Sequence, residues 1–272
     1  MSKYPQGSIG FGILSWRGHL SLEQALATYE KFDFFSLFDE SIIFLPDPDE
    51  QVKQVAARYP LRIETDPANA GILAGMEQIA ERLETDYIFF TENDNPLLET
   101  RDEAERQIKK ALELLENGSA CMARMRHVKK FGETFNTYDK YKRYFPTPDT
   151  FSAKLMRMSR PEKAKRLCGT AIYGEDYPAQ KFPKYITDAG DGFYLVDTQV
   201  LPWTNQSILL KRDFFLDTIL PYCKSIPLGR NINGFHSIEI ELNRSKFWTK
   251  SGWKIACGPG LLTHRRANDR GY

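Results

Sequence analysis

The sequence predicts an α/β fold: a mixed, mostly parallel central sheet flanked by helices, with an insertion in its second half. Three observations carry that reading. Strand and helix patterns alternate through the first 95 of 272 residues, the mark of a parallel, doubly wound sheet. Tyr87-Ile88-Phe89-Phe90 is an apolar run of β-branched and aromatic type, too short for a helix and suited to a buried central strand. From Arg124 to Arg166, thirteen Lys/Arg stand against four acids in a chain of net charge +1, so this segment departs in character from the rest.

The elements follow in order. Ser8–Leu14 reads as a first strand containing two glycines, and it ends in the polar loop Ser15-Trp16-Arg17-Gly18. Ser21 and Gln24 form a capping box for a helix whose apolar face is Leu22, Ala25, Leu26 and Tyr29. Phe34–Phe38 reads as the second strand, ending in Asp39-Glu40; residues 47–59 follow as a helix and Leu61–Ile63 as the third strand. Asn69 and Gly71 open a helix with Ile72, Leu73, Met76, Ile79, Ala80 and Leu83 at helical spacing. Tyr87–Phe90 is the fourth strand. Thr100 and Glu103 cap a helix over 101–116, which Asn117-Gly118 stops. Ala120–Val128 reads as a strand near one edge of the sheet, and Tyr173–Tyr185, with Pro178 and Pro183, as loop. Gly192–Val200 and Ser207–Leu210 are further strands, and Arg212-Asp213 begins a helix.

Several classes lose their support. No GxGxxG follows the first strand and no GxxxxGK[ST] occurs, so the dinucleotide and P-loop readings lose their main support. Cys121, Cys168, Cys223 and Cys257 are dispersed, against a zinc ribbon or a dense disulfide framework and compatible with a reducing compartment. The N-terminus lacks a basic-then-apolar signal layout, and no apolar run approaches a membrane span. The expectation is a cytoplasmic protein, soluble or peripherally membrane-associated. With 37 Lys+Arg against 36 Asp+Glu, the chain as a whole implies no polyelectrolyte partner.

Glu92, Asn93 and Asp94 hang off the fourth strand. Ligands of open α/β sheets bind just beyond the carboxyl ends of the strands. Two carboxylates at i, i+2 there suit Mg²⁺ or Mn²⁺, an ion shared with substrate phosphates. The same Asn-Asp-Asn-Pro stretch is also good turn chemistry.

Taken together, Asn69-Ala70-Gly71, Asp86-Tyr87-Ile88-Phe89-Phe90 and Glu92-Asn93-Asp94 resemble the nucleotide-sugar-binding half of the GT-A glycosyltransferases, in particular the inverting family 2. There a similar helix start precedes a strand ending in the DxD motif; here the first acid is Glu. The C-terminal third continues the resemblance. The run to Leu210-Lys211-Arg212 resembles a segment near the acceptor, and Gly252-Trp253-Lys254-Ile255 and Thr263-His264 match late family patterns. Glu239 falls where the family's catalytic Asp sits, with Ile238 in place of the preceding acid.

The resemblance implies one GT-A domain over 1–272: a nucleotide-sugar half (1–118) and an acceptor half (119–272) with a basic insertion at about 129–190. It implies metal-dependent transfer, with inversion, of a sugar from a UDP- or GDP-linked donor to a hydroxyl of a glycan, lipid-linked or protein-linked acceptor. Ser15, Trp16 and Arg17 would line the nucleotide pocket with Asn69 and Gly71, and Asp39 or Glu40 would accept hydrogen bonds from it. Glu92, Asp94 and His264 would hold the metal, with Asn93 beside them. Arg265, with Arg266, would pair with phosphate oxygens, and these two with the tail 267–272, of which 268–272 lie outside the residues described below, would form a lid that orders on nucleotide binding. Glu239 is the candidate base and Glu241 its competitor. The basic insertion, with Tyr138, Tyr141, Tyr144 and Phe145 interleaved, suggests an anionic acceptor or a membrane surface before RNA; a solvated helical insertion is the plain alternative. The competing functions are a sugar-nucleotidyltransferase, which lacks its G-x-G-x-R loop here, and a non-catalytic carbohydrate- or nucleic-acid-binding module.

Overall fold

The computed structural model describes residues 2–227 and 234–267. Among these, β1 (Ile9–Leu14), β2 (Glu40–Pro46), β3 (Arg62–Asp66), β4 (Tyr87–Glu92), β5 (Met122–Arg126), β6 (Ile186–Asp188), β7 (Tyr194–Asp197), β8 (Ile208–Lys211) and β9 (Lys254–Leu262) form one sheet. Its order is β3-β2-β1-β4-β8-β5-β9-β7-β6. β1 pairs in parallel with β2 and β4, and β2 with β3. β8 lies antiparallel between β4 and β5, while β9 is parallel to β5. The carboxyl ends of β1 to β5 and of β9 therefore share one edge, and β8 begins there.

Helices cover both faces. α1 (His19–Lys31), α2 (Glu50–Ala56) and α4 (Arg101–Glu116) lie on one side, and α3 (Gly71–Arg82) on the other. The pleat decides which side chain goes where. Tyr87 and Phe89 of β4 join the core with α1 and α4, and Ile88 and Phe90 join the core with α3. β1 follows the same rule: Ile9, Phe11 and Ile13 face α1 and α4, and its α3 side carries Gly10, Gly12 and Leu14. A Cβ on Gly12 would stand 2.2 Å from Ile79 Cγ2, so the glycine lets α3 lie directly on the strand.

Asp39 and Glu40 do not follow the second strand. Phe34–Leu37 is a turn of 3₁₀-helix, and Asp39-Glu40 stand at the amino end of β2, on the edge opposite the strands' carboxyl ends. The alternation of aromatics in this segment serves a cluster rather than a strand: Phe34 and Phe38 pack on Phe11 at 5.4 and 4.6 Å. Asp39 accepts the backbone N–H of Ile9 at 2.8 Å, and Glu40 ion-pairs with Arg62 at 2.5 Å. Ala120–Val128 is likewise corrected. β5 is interior, because β8 and β9 arrive from later in the chain to flank it, and all five of its residues are buried.

The basic insertion folds as α5 (Asn136–Tyr144), α6 (Phe151–Ser159), α7 (Pro161–Leu167), α8 (Ala171–Gly174) and α9 (Pro178–Lys181), so the expected loop at 173–185 contains the end of α8 and all of α9. Tyr141, Tyr144 and Leu167 anchor this layer in the core beside α3. α10 (Leu220–Ser225), α11 (Ile238–Asn243) and α12 (Lys246–Thr249) complete that side.

Candidate active site

The loops after β1, β2, β3, β4, β5 and β9 gather at the carboxyl edge. The loop after β1 is Ser15-Trp16-Arg17; Arg17 has φ 55°, its guanidinium lies 5.0 Å from the Trp16 ring, and it pairs with Asp47 at 3.4 Å. Asp47 directly follows β2, and so occupies the strand-end position expected for Asp39 or Glu40. The loop after β3 turns through Asn69, whose Oδ1 accepts the Gly71 N–H at 2.9 Å. Gly71 has φ 87°, and a Cβ there would sit 2.6 Å from Phe235 Cβ, so the segment leading to α11 rests on this turn. The loop after β4 is tied to the first: Asn93 Nδ2 donates to the Arg17 carbonyl at 2.8 Å.

Asp94 is the centre of the cluster. Its side chain is 3% exposed, and Oδ2 lies 3.2 Å from His264 Nε2 and 3.4 Å from Arg266 Nε. The loop after β9 brings these partners: Arg265 N–H donates to the Asp94 carbonyl at 2.8 Å, which holds the backbone while the Arg265 side chain points to solvent. Arg266, rather than Arg265, reaches the carboxylate. Glu92 is the last residue of β4, two residues before Asp94. Beneath the turn, Asn95 donates to the Glu92 carbonyl and to Asp94 Oδ1, and the Tyr29 hydroxyl donates to the Asn95 carbonyl at 2.6 Å. Burial pushes the Tyr29 phenol far above its ordinary range, so it remains a neutral donor.

Glu133 belongs to the same cluster. Residues 131–133 lie along His264, whose N–H donates to the Phe131 carbonyl at 3.2 Å and whose carbonyl accepts from Glu133 N–H at 2.9 Å. Glu133 Oε2 then faces His264 Nδ1 at 3.6 Å. Arg126, at the end of β5, fixes this loop by donating to the Phe131 and Glu133 carbonyls and to Gln206. Only its standing as one of four acids in a basic stretch marks Glu133 in the sequence.

Donor spacing tests whether these residues suit a divalent cation. Two donors at adjacent positions of an octahedral ion, each about 2.1 Å from it, stand about 3.0 Å apart. Asp94 Oδ2 and His264 Nε2 are 3.2 Å apart. Glu133 Oε2 stands 3.6 Å from the other imidazole nitrogen, on the side from which a carboxylate can orient a ligating histidine. Among the described residues no group of three or more His, Cys, Asp or Glu closes a cage. An ion held by few protein donors and by substrate phosphates needs none. The donor set fits.

Glu239 and Glu241 part company. On α11 they lie two residues, about 200°, apart. Glu239 Oε1 accepts the Asn205 N–H at 3.1 Å, in the strip that enters β8 at the carboxyl edge, where Ser207 Oγ meets Thr91 Oγ of β4 at 3.3 Å. Glu241 faces His236 at 3.5 Å, and its side chain is 9% exposed.

No protein-family model and no curated protein matches this chain. Solved structures do. Residues 1–349 of TarS from S. aureus superpose with a TM-score of 0.53 at 10% identity, covering 95% of this chain and 60% of that one. The fold is GT-A. The same TarS fragment in complex with UDP-GlcNAc gives 0.51 at 10% identity, over 97% and 60% of the two chains. Glucosyl-3-phosphoglycerate synthase from Mycobacterium tuberculosis, in complex with Mn²⁺, UDP and glucosyl-3-phosphoglycerate, gives 0.50 at 14% identity, over 97% and 73%. The chain spans 60% of the length of the TarS chain it matches. At these identities the likeness is one of architecture, and function rests on the site.

Proposed function

We propose that this protein is a metal-dependent glycosyltransferase that moves a sugar from a nucleotide-diphosphate donor to a hydroxyl acceptor with inversion. The observation that carries the reading is the meeting of Asp94 and His264, from the ends of β4 and β9, at the edge where an open α/β sheet binds its ligands. UDP is the favoured donor nucleotide, since the structural neighbours were solved with UDP or UDP-GlcNAc; GDP is the alternative. Mn²⁺ or Mg²⁺ bound by Asp94 and His264, with Glu92 beside them, would neutralise charge on the donor's diphosphate.

The chain's own residues do the rest. Trp16 and Arg17 with Asp47, and the Asn69–Gly71 turn, border the space for the nucleotide. Arg266 brings a guanidinium, geometrically apt for phosphate oxygens, to the Asp94 carboxylate. Glu239 accepts the proton of the attacking hydroxyl. That oxygen forms the new bond to the anomeric carbon while the bond to the diphosphate breaks, its electron pair leaving with the nucleotide. Attack from the side opposite the leaving group inverts the configuration. Glu241, turned to His236, serves structure.

Thermal unfolding with UDP, GDP, CMP and ADP, each with and without Mn²⁺, tests the site. A ligand at 100 times its Kd adds about 2.7 kcal/mol to stability. The expected result is a Mn²⁺-dependent rise with one nucleoside diphosphate, lost in Asp94→Asn. A rise that survives Asp94→Asn would remove Asp94 from the site. No rise with any nucleotide would favour a binding module.

A further inference from the structure

α5, α6 and α7 of the basic insertion pack on one another, and α6 is built inside out. Ala153, which is buried, and the half-buried Met156 and Arg157 face inward; the Arg157 guanidinium donates to the Tyr144 carbonyl at 2.6 Å and pairs with Asp149 at 2.7 Å. At about 100° per residue the opposite face belongs to Phe151, Leu155 and Met158. They are 83, 56 and 77% exposed, three of the five large apolar side chains that stand exposed among the described residues. Single exposed apolar residues need no explanation, but a stripe at i, i+4, i+7, turned directly away from the packed face, does.

The surroundings of the stripe are basic. Lys142, Arg143, Lys154, Arg160, Lys163 and Arg166 are all exposed on or beside these helices. Of the three acids between Asp139 and Arg166, Asp149 is taken by Arg157 and Asp139 by Lys142 at 3.5 Å. An apolar stripe within a field of positive charge complements an anionic lipid surface, with the acyl boundary taking the stripe and the headgroups the Lys and Arg. A second copy of the chain would set the same positive excess against itself, and a nucleic acid would leave Leu155 and Met158 of the stripe in water.

We propose that α6 docks this protein on anionic membranes, seating Phe151, Leu155 and Met158 at the boundary of headgroups and acyl chains. The inference stands independently of the glycosyl-transfer reading. Its test is co-sedimentation of the full chain with vesicles of phosphatidylcholine, with and without phosphatidylglycerol. Partitioning onto the mixed vesicles should exceed that onto phosphatidylcholine alone about tenfold or more and should weaken with salt. F151S/M158S should lose it with an unchanged melting temperature, and K154E/K163E should weaken it separately. Absence of binding to mixed vesicles would overturn the proposal, as would a double variant F151S/M158S that partitions like the parent. So would a dimer in light scattering that the same variant dissolves, or retention on RNA without vesicle binding.

Discussion

Glu239 offers the sharpest separation of chemistry from structure, because its carboxylate has an identifiable structural duty. Oε1 accepts the N–H of Asn205, which is buried, and Asn205 Oδ1 in turn accepts Trp203 Nε1 at 2.8 Å. Trp203 exchanges backbone hydrogen bonds with the Asn243 side chain, on the same helix as Glu239. Glu239→Gln keeps an oxygen for the Asn205 N–H and loses the charge. A charge-assisted hydrogen bond exceeds a neutral one by about 1 kcal/mol, so the melting temperature should fall by only about 2–4 °C. Glu239→Ala strands the buried N–H, which costs about 1–3 kcal/mol and roughly 2–12 °C. Catalysis should not follow this order: both variants lose the general base and about 10²–10⁴ in kcat. The assay is UDP release from a UDP-sugar with water as surrogate acceptor, alongside UDP affinity, which should hold. Glu239→Gln retaining kcat within about tenfold would refute the assignment; if Glu241→Gln were then the inactive one, the roles of the two glutamates would be exchanged.

Three other outcomes are expected. Burial holds the His127 imidazole below the ordinary histidine range, against the pull of Glu99, and its Nδ1 accepts the Lys129 and Lys130 N–H groups at 3.0 Å. The unfolded chain takes up this proton near pH 6.5 and the folded chain only below it. His127 therefore contributes fully above that value, and its contribution is lost as pH falls through the folded pKa. Melting temperature should decline from pH 7 to 5, and less steeply in His127→Asn; parallel slopes would remove His127 as the cause. Gly132→Ala places a Cβ 2.0 Å from the His264 carbonyl at φ 79° and should push Glu133 off His264. Mn²⁺ affinity should weaken about 10–100-fold, measured by titration of the UDP-dependent melting shift. Burial pushes the thiols of Cys121, Cys223 and Cys257 up to about 12 and that of Cys168 to about 11. Iodoacetamide should leave the native chain unlabelled and modify all four after urea unfolding. Rapid native labelling at any of them would contradict that burial.

Asp94 is legible because two carboxylates at i, i+2 just beyond a short apolar strand stand where open α/β sheets bind ligands, and His264 because a pattern at the far end of the chain singles it out. Asp39 misled for a physical reason. Phe34, Phe35 and Phe38 have the composition of a strand, yet they fill a gap beneath Phe11, and the true strand, Ile42–Leu45, lies a few residues later. The same aromatics mask Asp47, which directly follows the strand. Glu133 carries only the faint mark of an acid in a basic stretch and Asn205 none, since each matters through partners more than 30 residues away: His264 for one, Glu239 for the other. The central placement of β5 was equally invisible, because the strands that flank it are β8 and β9.

The position of β8 has a consequence for how the chain comes to be folded. Among the described residues it alone joins β4 to β5, and it is synthesised some 80 residues after β5 ends. Until Ile208–Lys211 leaves the ribosome, β4 carries an open hydrogen-bonding edge made of Tyr87, Ile88, Phe89 and Phe90, the most aromatic strand in the sheet. Open apolar edges recruit other chains. The N-terminal half is thus the vulnerable intermediate in synthesis, and truncation before β8 should yield an aggregate rather than a smaller folded protein.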